Sequence, residues 1–516
     1  MKMRHLTFLS IFILITLAGI AQQPVFQYKV SFPDPASHTY HVQLKSSGWD
    51  KDSADFKMPK WMPGYYQLMN YAADVEKITA MDAKGHAIPL ININDNTWRV
   101  RGTRNKAFSI EYDINTKKQF VANSYTDSAH AYIVNANTFL YADGYLNSPV
   151  SVAVELPKAW NNIATGLQPI TNKKNSFTAA DFDELYDCPI LAGNLQQLPS
   201  FFVNGIEHRF MGYNMGQFDG QLLMDNLKKI VQAAANIIGD IPYKQYTFIG
   251  IGPGRGGIEH LNNTTVSFEG SGLNKPEAMN RTLNFLAHEY FHHYNVKRIR
   301  PFELGPFDYD KENRTNLLWI SEGLSVYYEY LLVKRAGLAD AAALLRNFEG
   351  NINALENNPG RKYQSLQQAS YHTWKDGPFG TQGPEAGKSI SYYDKGPVVG
   401  LLFDFAIRNA TQNKKSLDDV MRLLYWQYYK KLHRGFTEAE FQQACETVAG
   451  ISMTAMFDYV YTAQDLDYAK YLGYGALEIE WNNTDNEQKK PVKAKLKRME
   501  NPASLQQAIL QAWLGE

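Results

Sequence analysis

Cysteine is almost missing from this chain, with two in 516 residues, Cys188 and Cys445. So few, and with no C-x-x-C spacing, they exclude a disulfide framework, a zinc ribbon and a dithiol redox motif, and both are expected as buried thiols. A surplus of either charge is also missing, since Lys plus Arg and Asp plus Glu each number 52. That balance leaves no basic face with which to hold nucleic acid. No Lys-Ser or Lys-Thr follows the glycine-rich stretch at 252–257, so it is not a phosphate loop. No repeat of fixed period is present, which excludes a solenoid. Beyond the amino terminus no apolar run reaches the length of a membrane span.

What is present is 44% hydrophobic and 13% aromatic, an ordinary globular composition with room for two or three domains. Residues 1–21 read as a signal peptide: Lys2 and Arg4 precede an apolar run at 6–20, and Gly19 and Ala21 put small residues at its end. The expected mature chain starts at Gln22 and is exported, periplasmic or extracellular, with no membrane span. Residues 22–200 have the period of half-buried strands. Phe108, Ile110, Tyr112 and Ile114 alternate with polar residues, as do Val152, Val154 and Leu156, and turns at Pro63-Gly64, Asp143-Gly144 and Asn147-Ser148-Pro149 suit a β-sandwich-like domain. Trp61, beside the first of these turns, reads as core packing.

Near residue 200 the period changes. A helix is expected at 221–238, stopped by Gly239, then a strand at 246–251. The loop that follows contains Gly256 and Gly257, where the backbone can approach a partner closely. Helices at 398–407, 417–429 and 437–448 make the carboxy-terminal half of the 201–470 region mostly helical. Residues 471–516 read as a short polar tail with one amphipathic helix at 502–514. The class is α+β.

The chemistry centres on His288, Glu289 and His292, spaced H-E-x-x-H. On a helix, residues four apart lie one turn above each other, so both imidazoles can face one ion while Glu289 flanks it. Met279, Leu283, Leu286 and Tyr290 recur at helical spacing on another face. No Gly or Pro interrupts the run until Pro301. A third protein ligand would leave one position open for water. Glu322 is that candidate, because it lies among Leu317, Leu318, Trp319, Ile320 and Leu324, where an uncompensated carboxylate would be costly. One zinc ion per chain is the expected cofactor.

HEYFHHYNVKRIRP at 288–301, LWISEG at 318–323, GGIEH at 256–260 and SYYDKG at 391–396 occur in the order found in the glycyl aminopeptidase family of gluzincin metallopeptidases, which this chain resembles. WMPGYY at 61–66 extends the resemblance into the amino-terminal half, with Tyr65 where the family usually has Ser. The resemblance implies a thermolysin-like catalytic domain at 201–470 and hydrolysis of amino-terminal residues, small ones such as Gly or Ala, from peptides. It implies Tyr393 as donor to the oxyanion and Glu259 as acceptor for the substrate's α-amine. Family members commonly carry a PDZ domain at the carboxy end, and the residues after 470 are too few for one. The competing readings are a zinc endopeptidase and an inactive exported binding protein with a vestigial zinc site.

Overall fold

The structure is a computed structural model that describes residues 23–116, 118–482 and 491–516. The signal-peptide segment at 1–21 lies outside the described residues. Among those described, no helix is long and apolar enough to cross a membrane.

The amino-terminal part is built from sheets. In a seven-stranded sheet, Val25–Ser31 pairs parallel with Val150–Glu155 and antiparallel with Thr39–Ser47, which in turn pairs with Phe108–Asn115. The alternation read from Phe108 to Ile114 is observed: every second side chain of that strand is buried. A four-stranded sheet containing Ser53–Lys57 packs on it, and Trp49 fills the space between. Its ring lies 5.7 Å from Phe56 of the smaller sheet and 6.1 Å from both Phe26 and Phe108 of the larger. Aromatic side chains at this density carry much of the apolar burial. A further four-stranded sheet places Ile190–Gly193 beside His130–Ile133, close to the second half of the molecule.

That half opens with a mostly parallel sheet in which Gln245–Gly250 lies between Ile206–Gly212 and Asn263–Val266. The short strand Gly257–Glu259 runs antiparallel to Asn263–Val266 at the sheet's edge, with Glu259 opposite Thr264. Helix Gly220–Ile238 is capped by Asp219, whose side chain accepts from Leu222 N–H, and ends at Gly239 with φ 83°, the left-handed stop its sequence predicts. Helices Pro276–Phe291, Leu324–Arg335 and Tyr392–Ala410 pack in series behind the edge strand.

The reading of 471–516 as a polar tail with one helix needs correction. Leu477–Asn482 and Lys493–Arg498 form an antiparallel hairpin, docked where Asn353 and Glu349 accept the backbone N–H groups of Ala494 and Leu496. In KAKLKR the inward residues are only Ala494 and Leu496, so the solvated lysines masked the alternation. Helix Ser504–Leu514 buries Trp513, whose indole donates to Tyr327 Oη at 3.1 Å. Both cysteines are free and buried, in separate cores.

Candidate active site

Helix Pro276–Phe291 carries His288 in its last turn and reaches His292 as its C-cap. It therefore stops well short of the uninterrupted run to Pro301 that the sequence suggests. His292 keeps right-handed angles, φ −59° and ψ −24°, so the one-turn relation to His288 survives and the two Nε2 atoms face each other at 2.8 Å. Asn295 holds the departing chain. Its amide donates to Ile320 O and Ser321 O, and its carbonyl lies 2.8 Å from His292 Nδ1. That contact fixes the tautomer with the proton on Nδ1 and leaves the Nε2 lone pair facing inward.

Glu322 lies in a wide π-helical turn, Trp319–Gly323, that leads into helix Leu324–Arg335. Its Oε2 is 3.3 Å from His292 Nε2 and 3.7 Å from His288 Nε2. All three side chains are buried and offer ligand atoms within 4.8 Å of one another. Two imidazoles and a carboxylate gathered in the interior are the donor set of an open zinc site, so the residues fit the ion. The charges agree. Burial alone would raise Glu322, but His292 and His288 outweigh it and hold the carboxyl well below its usual range. Burial alone would depress His288, and Glu322 and Glu329 reverse that.

Glu289 sits beside this cluster with Oε2 buried and unpartnered. Burial pushes its carboxyl up to about 7, against the opposing pull of His288 and His292. Gly257 explains the close approach expected of its loop, since a Cβ there would lie 2.5 Å from Glu289 Oε1. Gly256, with φ 88°, makes the turn into the edge strand. Together they line a cavity of about 890 Å³ with His288, Glu289, Tyr65, Phe120, Phe285, Tyr393 and other side chains.

A glycine contact brings in the tyrosine. Gly323 and Gly396 touch so tightly that a Cβ on either would come within 2.7 Å of the other's Cα, seating helix Tyr392–Ala410 against the Glu322 turn. Tyr393 Oη then donates to Glu322 Oε2 at 2.9 Å. Its neighbour Tyr392 points elsewhere, to Thr373 Oγ1 at 3.0 Å.

Glu259 is not on the wall of the large cavity. It faces an adjoining crevice with Gly64, Tyr66 and Lys297, buried, with Oε1 unpartnered. Gly64, with φ 92°, is the reason the Pro63-Gly64 turn can sit against it: a Cβ there would lie 2.9 Å from Glu259 Oε2. Trp61 packs as core, its indole bonded to Asp308 O. Sequence reading missed Glu329, 2.9 Å from His288 Nδ1. Its signal was available, because Glu329 follows Glu322 by two turns on one helical face.

A buried His-His-Glu cluster behind an edge strand, with a carboxylate beside it, defines a metallopeptidase. The family profiles agree: the peptidase M61 N-terminal domain matches residues 27–194 and the M61 glycyl aminopeptidase domain matches residues 281–399, together more than half of the chain. The chain belongs to the M61 peptidase family. No curated protein matches the sequence. Among solved structures, an aminopeptidase N family protein from Idiomarina loihiensis is similar at TM-score 0.83 and 24% identity, over 89% of this chain and 79% of that one. The M1 zinc metallopeptidase of Deinococcus radiodurans is similar at TM-score 0.50 and 12% identity, over 86% of this chain and 96% of that one. A mutant of it bound to a Tyr-Ser-Ala substrate is similar at 0.52 and 13%, over 86% and 95%. At these identities the likeness is one of fold.

Proposed function

We propose that this chain is an exported aminopeptidase, using one zinc ion to remove small amino-terminal residues such as Gly or Ala from peptides. The observation that carries the reading is the convergence of the His288, His292 and Glu322 ligand atoms with a buried, unpartnered Glu289 beside them. The ion, when bound, supplies Lewis acidity that lowers the pKa of water to about 7. Glu289 accepts the proton of the attacking water and hands it to the leaving nitrogen, a task suited to a carboxyl whose affinity for protons is raised by burial to about 7. Tyr393 turns its phenol from Glu322 towards the developing oxyanion.

Glu259 supports the exopeptidase form of this reading. A substrate's ammonium group is charged at neutral pH, with a pKa near about 8, and a buried carboxylate lacking a partner both attracts it and sets the distance to the first peptide bond. Peptide as substrate is supported by the tripeptide in the Deinococcus neighbour. Preference for Gly or Ala follows from the family description, and export follows from residues 1–21.

Zinc analysis of the purified chain together with a panel of amino-acid amides and amino-terminally acetylated peptides tests the whole. About one zinc per chain is expected, lost in His292→Ala, with cleavage confined to free amines. Full zinc content in that variant would sink the ligand assignment, and efficient cleavage of acetylated peptides would make the enzyme an endopeptidase.

A further inference from the structure

Lys297 and Glu259 share one crevice, yet they do not pair. The Lys297 ammonium is held by Asp187 Oδ1 at 2.7 Å, and Glu259 has no ion pair among the described residues. Asp187 belongs to the amino-terminal part of the chain, following helix Phe182–Tyr186. It also accepts from Leu261 N–H at 2.6 Å and contacts His260 Nδ1 at 3.2 Å, both in the turn immediately after Glu259. Arg298 grips that turn from the other side through Leu261 O at 2.8 Å.

A buried ammonium on a four-carbon stem takes whichever carboxylate it can reach, because leaving it unpaired is costly. We infer that Asp187 is a positioning residue for amine recognition: by capturing the Lys297 ammonium it keeps the Glu259 carboxylate vacant for the substrate's α-ammonium group. The inference rests on the reading of Glu259 as the amine acceptor. Asp187 wins the lysine because Leu261 and His260 fix its carboxylate in place. Glu259 stays free because its own burial among Gly64 and Tyr66 leaves it no second donor. With the Asp187 charge removed, Lys297 is left without a counter-ion and the carboxylate in its own crevice is Glu259. The internal ammonium then competes with the substrate's.

The test is a small mutant cycle read as KM and kcat on free-amine and acetylated substrates, with zinc content and denaturant melts recorded for each protein. Asp187→Asn should raise KM for free-amine substrates by about 10-fold with a smaller change in kcat. Adding Lys297→Met in the same chain should bring KM back towards wild type, since no ammonium remains to occupy Glu259. If Asp187 merely joins two parts of the fold, the double variant will be as impaired as Asp187→Asn or worse, and the proposal falls. If Asp187→Asn does not fold, Lys297→Met alone decides: near-normal KM is expected, and a rise as large as that of Glu259→Ala would overturn the idea. Glu259→Ala separates the two levels of argument. Unchanged KM for free amines in that variant would remove the amine reading itself, whereas a raised KM without rescue by Lys297→Met leaves that reading standing and rejects only the role of Asp187.

Discussion

At one end of the cleft, His288, His292 and Glu322 come from two packed helices, and the outer nitrogens of both imidazoles are engaged, by Glu329 at 2.9 Å and by Asn295 O at 2.8 Å. At the other end, Glu259 comes from a three-residue edge strand, lies against a turn from the amino-terminal part, and has an oxygen with no partner at all. The two ends solve different problems. Metal ligands are best held in place beforehand, because an ion then meets formed geometry and deprotonated donors. A recognition carboxylate must instead be buried, to speak strongly to an incoming ammonium, and left unpaired, to have something to say. The fold meets that second demand by removing a Cβ at Gly64 and by giving the neighbouring lysine to Asp187.

The contrast breaks most visibly at Glu289, which stands between the two ends. Glu289→Gln should keep zinc yet lower kcat by about 1,000-fold or more, because the amide cannot take the water's proton. Near-normal turnover would mean another base. Next in size, Tyr393→Phe should lower kcat by about 100-fold with little change in KM, since its donor is needed only as charge develops. A rise in KM alone would place Tyr393 in ground-state binding instead. Smaller again, Glu329→Gln should weaken zinc by about 10-fold to 100-fold in competition with a chelator, leaving KM for zinc-loaded enzyme unchanged. Unaltered zinc affinity would show that the 2.9 Å contact does not orient His288.

The metal end was the legible one because its information is local. The spacing of His288, Glu289 and His292 needs only helical geometry, and Glu322 stood out as a charge among apolar neighbours. Glu329 could have been found in the same way. The other end depends on contacts between distant segments, such as Asp187 with Lys297 and Gly64 with Glu259, which no window of sequence contains. The same holds for the contact of Gly323 with Gly396, and for the helix end at Phe291, which Asn295 enforces through a loop that follows it. Tyr393 was legible only by resemblance, since 32 tyrosines leave spacing with little to say.

The smallest expected effect lies one residue away from one of the largest. Tyr392 and Tyr393 are consecutive, and both begin the same helix. Their rings diverge because successive residues on a helix point about 100° apart. Tyr393 therefore reaches Glu322, while Tyr392 is buried against Thr373. Tyr392→Phe removes a hydroxyl and leaves Thr373 Oγ1 without that partner, which should cost about 1 kcal/mol in a denaturant melt. Because the lost hydroxyl faces away from the ligand cluster, kcat and KM should stay within about twofold of wild type, a margin below 1.36 kcal/mol, the energy of a tenfold change. A loss of turnover comparable to that of Tyr393→Phe would mean that the helix start is shifted by one residue in the working enzyme, with Tyr392 as the donor to the oxyanion.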